Sequence, residues 1–277
     1  MPYSLVAVPH RTGIFGCRRG PCAFEQAHPR QSLNPVYANI RNRQGELIAT
    51  SWTPGSEGSR NLIVIGHGLT SDKDRPWSEA LSRELGKVGV ASLRIAFTGN
   101  GESEGSFLDS TITKEVEDLR AVMDDFEGWR MGYIGQSMGA AVGVLSAASD
   151  ARIEVLVSLA GMVHTAAFAT RLFGHLNPGE LMLGKPGRTI GPKFSRDMES
   201  IGTVVDRAPR IRVPWLIVHG DKDDVVPITD SREIHSASNG HAEMHALAGV
   251  DHSFSGEGLE AMTSIVVPWL GKQGFPQ

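Results

Sequence analysis

The sequence of 277 residues has only two cysteines, no strong excess of charge of either sign, and no long apolar run. Cys17 and Cys22 both lie near its start, so a framework of several disulfides and a four-cysteine zinc site are excluded. The 27 basic residues nearly balance the 31 acidic ones, so charge gives no reason to expect a nucleic acid or an anionic membrane as partner. No apolar run approaches the ~18 residues that a membrane-spanning helix needs. The composition, with 40% hydrophobic and 21% charged residues, is that of a globular protein.

Residues 1–32 differ from the rest of the chain, because they mix Arg, Gly, Pro, Cys and His without any periodicity. We expect a poorly ordered N-terminal extension there. The apolar stretch from Ser4 to Val8 is too short for the core of a secretory signal peptide, and Pro9 interrupts it. The default expectation is therefore a cytoplasmic protein.

From Val36 onward, segments with the periodicity of strands alternate with segments that have the periodicity of helices. The stretches 36–41 and 46–52, with Gln44-Gly45 between them, favour an antiparallel hairpin. Short apolar runs typical of strands buried on both faces recur at 62–65, 90–97, 131–134, 153–159, 215–218 and 243–247. Helical spacing is found at 78–88, 113–126, 138–148, 231–236 and 262–270. This order predicts a mostly parallel central sheet flanked by helices.

One connection is much longer than the others, because about fifty residues separate the strand ending near Leu159 from the strand starting near Pro214. Long connections in compact domains usually have a function. Residues 163–176 have helical spacing, and the chain then becomes rich in glycine and proline up to Pro192. We interpret residues 161–210 as an inserted lid over the carboxyl edge of the sheet; a structural excursion with no role in substrate binding is the alternative.

The most informative motif is Gly135-Gln136-Ser137-Met138-Gly139, which fits G-x-S-x-G. It follows a predicted strand and opens a predicted helix, which is the context that a nucleophile elbow requires. A turn this tight needs small residues two positions before and after the nucleophile, and it places the hydroxyl near the positive end of a helix. Ser137 is therefore the predicted nucleophile.

A serine hydroxyl needs a general base, and in this architecture the expected order along the chain is serine, acid, histidine. Five histidines follow the insertion, at positions 219, 235, 241, 245 and 252. We favour His252, because it lies in the loop after the final predicted strand and such a loop reaches the sheet edge. His241 and His245 have the i, i+4 spacing of a zinc protease, but the Glu between them is misplaced and the segment is not helical, so no metal site is predicted.

The acid is expected in the loop that follows the strand 215–218. Asp221, Asp223 and Asp224 compete there, and Asp251 precedes the candidate histidine. We favour Asp223, because a side chain in the middle of the loop can turn back toward His252. Its role would be to orient the imidazole and stabilise its cation.

The oxyanion of a tetrahedral intermediate needs two fixed donors. The backbone N–H of Met138, directly after the nucleophile, is one candidate, and the loop after strand 62–65 supplies the other. Leu69 is placed for this role in Gly66-His67-Gly68-Leu69-Thr70, where Gly68 lets the backbone approach. We interpret His67 as a residue that packs the loop.

Taken together, these residues resemble the α/β-hydrolase superfamily, and within it the cinnamoyl or feruloyl esterase group and its serine-hydrolase relatives. The resemblance covers about Pro35 to Leu270 and rests on the segments 67–70, 99–105, 135–139, 219–227 and 251–252. It implies an eight-stranded sheet, an α/β-hydrolase domain over residues 33–273, a triad of Ser137, Asp223 and His252, and a lid that shapes the acyl pocket. In one departure, Ala96 stands where relatives often carry an aspartate, so we expect different hydrogen bonding near the Gly99 loop.

The predicted activity is hydrolysis of a small-molecule carboxylic ester through an acyl-enzyme, with feruloyl, cinnamoyl or short acyl groups as substrates. The resemblance implies neither a metal nor an organic cofactor, and we expect neither a nucleic-acid nor a membrane partner. A thioesterase, a monoacylglycerol lipase, or an amidase or peptidase with the same triad is the alternative. A catalytically silent binding protein is a rival from another class.

Overall fold

The computed structural model describes residues 39–275. The predicted N-terminal extension, including Cys17 and Cys22, and the first part of the predicted hairpin lie outside the described residues. The described part contains strands β1 to β7 at Thr50–Thr53, Asn61–Gly66, Ala91–Ile95, Arg130–Gln136, Ile153–Leu159, Trp215–Gly220 and Ala242–Leu247. Its α-helices, α1 to α7, are Pro76–Lys87, Ile112–Asp125, Met138–Ala147, Thr165–Phe173, Pro192–Ile201, Ile228–Ala237 and Gly258–Lys272.

The strands form one sheet in the order β1-β3-β2-β4-β5-β6-β7, and every neighbouring pair is parallel except β1 and β3. The mostly parallel sheet predicted from the sequence is thereby confirmed. Seven strands are present in residues 39–275, whereas the resemblance implies eight. Of the first arm of the predicted hairpin, only residues 39–41 are described, and they make one bridge, between Arg41 and Leu47.

The core lies on both faces of the sheet because successive side chains of a strand point to opposite faces. Along β2, Leu62 and Val64 belong to the cluster on one face, while Ile63 and Ile65 belong to the cluster on the other. The first cluster also contains apolar residues of α2, α3 and α6, and the second contains those of α1 and α7. Two layers of helices therefore enclose a sheet whose central strand is β4.

The long connection after β5 contains one helix that the sequence pattern did not predict. Helix α5 starts with Pro192, and a proline is tolerated there because the first helical N–H has no partner within the helix. Its buried apolar face is short, because it consists of Phe194 and Met198 alone. This face follows a stretch rich in glycine and proline, so the sequence shows no clear helical periodicity there. Phe173 of α4 packs against Phe194 with ring centroids 5.9 Å apart, so the two helices of the connection share one apolar contact.

A buried acidic pair lies on α2, below the loop that follows β3. Asp118 accepts hydrogen bonds from the backbone N–H of Thr98, 2.7 Å, and from the side chain of Asn42, 2.9 Å. Glu115 is fully buried, and its Oε2 has no hydrogen-bond partner among residues 39–275. Burial raises the pKa of Glu115 well above its ordinary value, and the nearby charge of Asp118 raises it further. The folded state therefore favours the protonated form of Glu115 more than the unfolded chain does.

This raised pKa predicts the effect of Glu115→Gln on stability. Because the folded-state pKa of Glu115 is raised, wild-type folding takes up a proton above pH ~4.5, and its free energy of unfolding falls as the pH rises toward that pKa. Glutamine removes the penalty, so we expect the variant to be more stable than wild type by about 1–3 kcal/mol at pH 8 and by clearly less at pH 5. Urea unfolding at both pH values measures this.

The matched control is Glu117→Gln on the same helix, where the carboxylate reaches the surface and accepts a hydrogen bond from Gln44. It should change stability by less than about 0.5 kcal/mol at either pH. A Glu115→Gln variant destabilised by the same amount at both pH values would contradict a raised pKa of Glu115.

Candidate active site

Ser137 forms the turn between the central strand β4 and α3, and its backbone is strained. Its φ of 56° and ψ of −116° are unusual for a residue with a side chain. The glycines of the motif have a steric cause. A Cβ on Gly135 would lie 2.1 Å from the carbonyl oxygen of Gly139, and a Cβ on Gly139 would lie 2.6 Å from that of His67. The turn therefore fits only if both positions lack a side chain.

The loop after β2 approaches Ser137 equally closely. A Cβ on Gly68 would lie 2.9 Å from Cβ of Ser137 and 2.8 Å from Oε1 of Gln136. The next residue, Leu69, lines the same pocket as Ser137. Within residues 39–275, the backbone N–H groups of Leu69 and Met138 donate no hydrogen bond, and the latter is an unpaired donor at the start of α3. Both amides are available to an oxyanion; that role stays a prediction.

His67 fixes the shape of this loop from below. Its Nδ1 lies 2.8 Å from the carbonyl of Gly68, and its Nε2 accepts the backbone N–H of Phe97 at 3.1 Å. The ring is therefore neutral, with its proton on Nδ1. Burial lowers the pKa of His67 to about 4, which agrees with this assignment. These contacts give His67 a packing role.

The strands β6 and β7 carry the other two predicted triad residues in the loops at their carboxyl ends. Nδ1 of His252 lies 2.7 Å from Oδ2 of Asp223. The other oxygen of Asp223 accepts the backbone N–H groups of Val225, 2.9 Å, and Val226, 2.8 Å. The carboxylate is fully buried, whereas the imidazole of His252 remains 14% exposed. The geometry is that of an acid that orients an imidazole.

A second histidine, which the sequence analysis did not assign to the site, supports the same carboxylate. Nε2 of His219 lies 3.0 Å from Oδ2 of Asp223, and its Nδ1 lies 2.7 Å from the hydroxyl of Ser231. Burial acts to raise the pKa of Asp223, but the hydrogen bonds from His219 and His252 outweigh it and hold the pKa well below its usual range. The position of His219, at the end of a buried strand and four residues before the acid, is the signal in the sequence that could have found it.

The other aspartates and histidines considered for the triad lie elsewhere or have other partners. Asp221 accepts the backbone N–H of Gly249 at 2.7 Å, and Asp251 accepts that of Ser255 at 2.8 Å, so both shape turns. Asp224 is exposed. Among the histidines, His245 pairs with Glu243 on β7, with 2.7 Å between Nε2 and Oε1. The structure places none of these four at the hydroxyl of Ser137.

Ser137 and His252 line one pocket, but in the described residues no hydrogen bond joins them. Nε2 of His252 instead lies 3.1 Å from Nε2 of Gln136, whose amide also donates to the backbone carbonyl of His252 at 3.1 Å. Gln136 is the second residue that the sequence analysis did not assign to the site, although it lies inside the elbow motif. The amide of Gln136 thus hydrogen-bonds Nε2 of His252, which is the atom that would accept the proton of Ser137 if His252 acted as a general base.

The pocket has a volume of about 180 Å³ and includes residues of the long connection after β5. Phe168, Leu183 and Lys185 come from that connection, and Trp77 from α1. Trp77 and Phe168 give the pocket aromatic surface, whereas Phe173 and Phe194 pack against each other within the connection. A larger surface groove, of about 770 Å³ between α1 and α7, contains none of the triad residues. The connection therefore contributes to the pocket wall, and its action as a lid stays a prediction.

A protein of known structure superposes on most of this chain. No family model matches the sequence. Est1E from Butyrivibrio proteoclasticus, in a structure with ferulic acid bound, is 25% identical and superposes with a TM-score of 0.76 over 84% of this chain and 98% of its own. The chain belongs to the α/β-hydrolase superfamily. Its fold is the α/β-hydrolase fold, as the resemblance implies.

Curated relatives of this α/β hydrolase include the mitochondrial palmitoyl-protein thioesterase ABHD10. The Pongo abelii protein is 24% identical over 79% of this chain and 80% of its own length. The Homo sapiens protein is 26% identical over 62% of this chain, but the match spans only 60% of that relative. The solved and curated relatives include esterases and thioesterases, and this similarity supports a hydrolase. In residues 39–275, no helix has the length and apolar character needed to cross a membrane; the cytoplasmic location stays a prediction.

The contacts of Asp223 predict that Asp223→Asn slows the reaction of Ser137 with a fluorophosphonate probe by roughly 10³–10⁴-fold, because the amide leaves His252 wrongly oriented. Intact-mass spectrometry over time gives the rate. The control is Asp221→Asn in the same loop, which keeps its acceptor oxygen for Gly249 and should change the rate by less than about threefold. Equal losses in the two variants would argue against Asp223.

The close approach of Gly68 predicts that Gly68→Ala displaces the loop and slows the same labelling by about 100-fold, since one oxyanion donor moves away. The melting temperature should fall by only a few degrees. Full labelling speed in a folded Gly68→Ala variant would show that Leu69 does not act on the probe.

Proposed function

We propose that this α/β hydrolase is a serine esterase that cleaves small carboxylic esters through an acyl-enzyme. The observation that carries the proposal is the arrangement around Asp223. A fully buried carboxylate, with two backbone N–H groups on one oxygen, meets His252 at 2.7 Å, and His252 shares a pocket with Ser137. A buried charge is costly unless its oxygens are satisfied, so this arrangement is best explained by a carboxylate that must stay ionised beside a histidine.

In the proposed reaction, Oγ of Ser137 attacks the ester carbonyl while Nε2 of His252 accepts its proton. The N–H groups of Leu69 and Met138 donate to the oxyanion. The bond between the carbonyl carbon and the alkoxy oxygen then breaks, and the leaving alcohol takes the proton from His252. Water attacks the acyl-enzyme with the same residues in the same roles, and this releases the acid and restores Ser137.

The first step requires Gln136 to release Nε2 of His252. The amide of Gln136 also donates to the carbonyl of His252 at 3.1 Å, and this second hydrogen bond can hold the loop while the first is broken. Ring nitrogen Nδ1 remains fixed by Asp223, which leaves the lone pair on Nε2 for the hydroxyl of Ser137. We therefore infer that the resting site is closed by Gln136 and that an ester entering the pocket displaces its amide.

The size and lining of the pocket support small acyl groups. Its volume of about 180 Å³ is below the ~300–1,000 Å³ that is typical of sites for drug-sized ligands. Trp77 and Phe168 offer aromatic surface to a flat acyl group, and the superposed Est1E has ferulic acid bound. Feruloyl, cinnamoyl and short acyl esters are therefore the substrates that we propose.

The name of the curated relatives favours a second candidate, a thioesterase that acts on acylated protein. Both activities use the same triad and differ in the leaving group and the length of the acyl chain. A long acyl chain needs far more room than the described pocket provides, so we rank the ester reaction first.

The test is hydrolysis of matched substrates by the wild-type protein. We expect methyl ferulate and 4-nitrophenyl butyrate to be cleaved with kcat/KM at least tenfold higher than palmitoyl thioesters, because the pocket is small. Ser137→Ala should abolish both hydrolysis and the acyl-enzyme in intact-mass spectra while the melting temperature is kept. A preference for palmitoyl thioesters would favour the second candidate. An absence of turnover with every substrate, together with no fluorophosphonate adduct at Ser137, would favour a binding protein without activity.

A further inference from the structure

The pocket is lined by two cations that form no ion pair with any acid in residues 39–275. Lys185 and Arg75 both line the pocket, Lys185 from the inserted connection and Arg75 from the start of α1. Both are half-buried, and among residues 39–275 neither has an acidic partner within 4 Å. Two like charges that line one small pocket repel each other, so an anion between them would be stabilised.

The nearest acidic residues are already engaged elsewhere. Asp74 pairs with Lys73 and Arg94, and Glu102 pairs with Lys73 at 2.8 Å. Asp72 uses Oδ1 to accept the backbone N–H of Asp74 at 3.0 Å. Asp74 and Glu102 are therefore paired with other cations, and Asp72 is the one of these three acids that acts on Lys185, at a distance too long for an ion pair.

Arg188 is a third cation whose charge acts on Lys185. Arg188 donates to the carbonyl of Gly99 at 3.0 Å and lies over the ring of Phe107, and no acid pairs with it in the described part of the chain. Burial lowers the pKa of Lys185, and the charges of Arg75 and Arg188 lower it further, while Asp72 acts in the opposite direction. The neighbours of Lys185 therefore repel its charge, and an anion beside it would relieve that repulsion.

The position of Lys185 relates this charge to the proposed chemistry. Its Nζ donates to the backbone carbonyl of Thr70 at 3.2 Å, and Thr70 directly follows Leu69 of the proposed oxyanion loop. Because Lys185 and Ser137 line one pocket of about 180 Å³, one substrate molecule can present an ester carbonyl to Ser137 and an anionic group to Lys185.

We propose that Lys185 and Arg75 form a subsite for a carboxylate on the substrate, so that this hydrolase selects esters with a negatively charged group near the scissile bond. This inference rests on the proposed esterase function and deepens it by naming a substrate class. The carboxylate is carried by the acyl group or by the leaving group, and the two cases separate experimentally.

The experiment measures binding to the Ser137→Ala variant, so that it does not depend on turnover. The acyl arm compares mono(4-nitrophenyl) glutarate with its methyl ester, and the leaving-group arm compares 4-acetoxybenzoate with methyl 4-acetoxybenzoate. Calorimetry gives Kd for each. We expect the anionic member of one pair to bind about tenfold more tightly than the neutral member, and we expect this ratio to fall at 0.5 M NaCl. The arm that shows the preference identifies the part of the substrate that carries the charge.

The ratio should fall to about one in Ser137→Ala/Lys185→Gln and persist in Ser137→Ala/Lys185→Arg, which keeps the charge. The matched control is Ser137→Ala/Lys193→Gln, because Lys193 lies on α5 in the same connection and pairs with Asp109 outside the pocket. This control should keep the ratio.

Equal affinities within both pairs would overturn the subsite, as would a ratio that survives Lys185→Gln. The wild-type protein is assayed for hydrolysis of the same four esters. If it cleaves none of them while the binding preference is present and depends on Lys185, the esterase proposal fails and the anion subsite stands.

Discussion

The site depends on how closely the backbones of β2, β4 and α3 approach each other. Where the loop after β2 meets the elbow, Gly68, Gly135 and Gly139 would each place a Cβ within 3 Å of a neighbouring atom. This contact fixes Ser137 at φ 56° and brings Leu69 beside it. The strain at Ser137 is maintained because the backbone is held on all sides, as shown by the hydrogen bond of its N–H to Leu159 at 2.9 Å. Every other part of the site is positioned relative to that turn.

Electrostatics divides the site into two zones. Beneath His252, the carboxylate of Asp223 is fully buried, and protein donors satisfy both of its oxygens. Elsewhere in the pocket, Lys185 and Arg75 form no ion pair with a described acid. The donors around the inner charge are what our proposed mechanism requires, since Asp223 would stay ionised throughout it, and the unpaired outer charges are the basis of the proposed anion subsite. The same principle, that buried charge needs a partner, accounts for both zones.

The sheet and the triad candidates were predictable from the sequence because they depend on local patterns. Apolar runs predicted the strands, and G-x-S-x-G in strand-turn-helix context predicted the position of Ser137. Helix α5 was not predictable, because Phe194 and Met198 give too short an apolar face after a glycine- and proline-rich stretch. Gln136 was missed because its contact with His252 joins two loops that are 116 residues apart along the chain. His219 was missed for another reason: it lies only four residues before Asp223, but that spacing alone does not show that its ring turns toward the carboxylate.

The loop after Ala96 is held by hydrogen bonds from other parts of the chain. Where relatives often have an aspartate, the backbone carbonyl of Ala96 accepts the hydroxyl of Ser103 at 2.6 Å, and that hydroxyl accepts the N–H of Ala49 at 2.8 Å. Asp118 on α2 then holds the N–H of Thr98. The loop so braced presents the carbonyl of Gly99 to Arg188 of the inserted connection. Since Arg188 lies three residues after Lys185, the bracing of this loop also determines where the cations of the pocket lie.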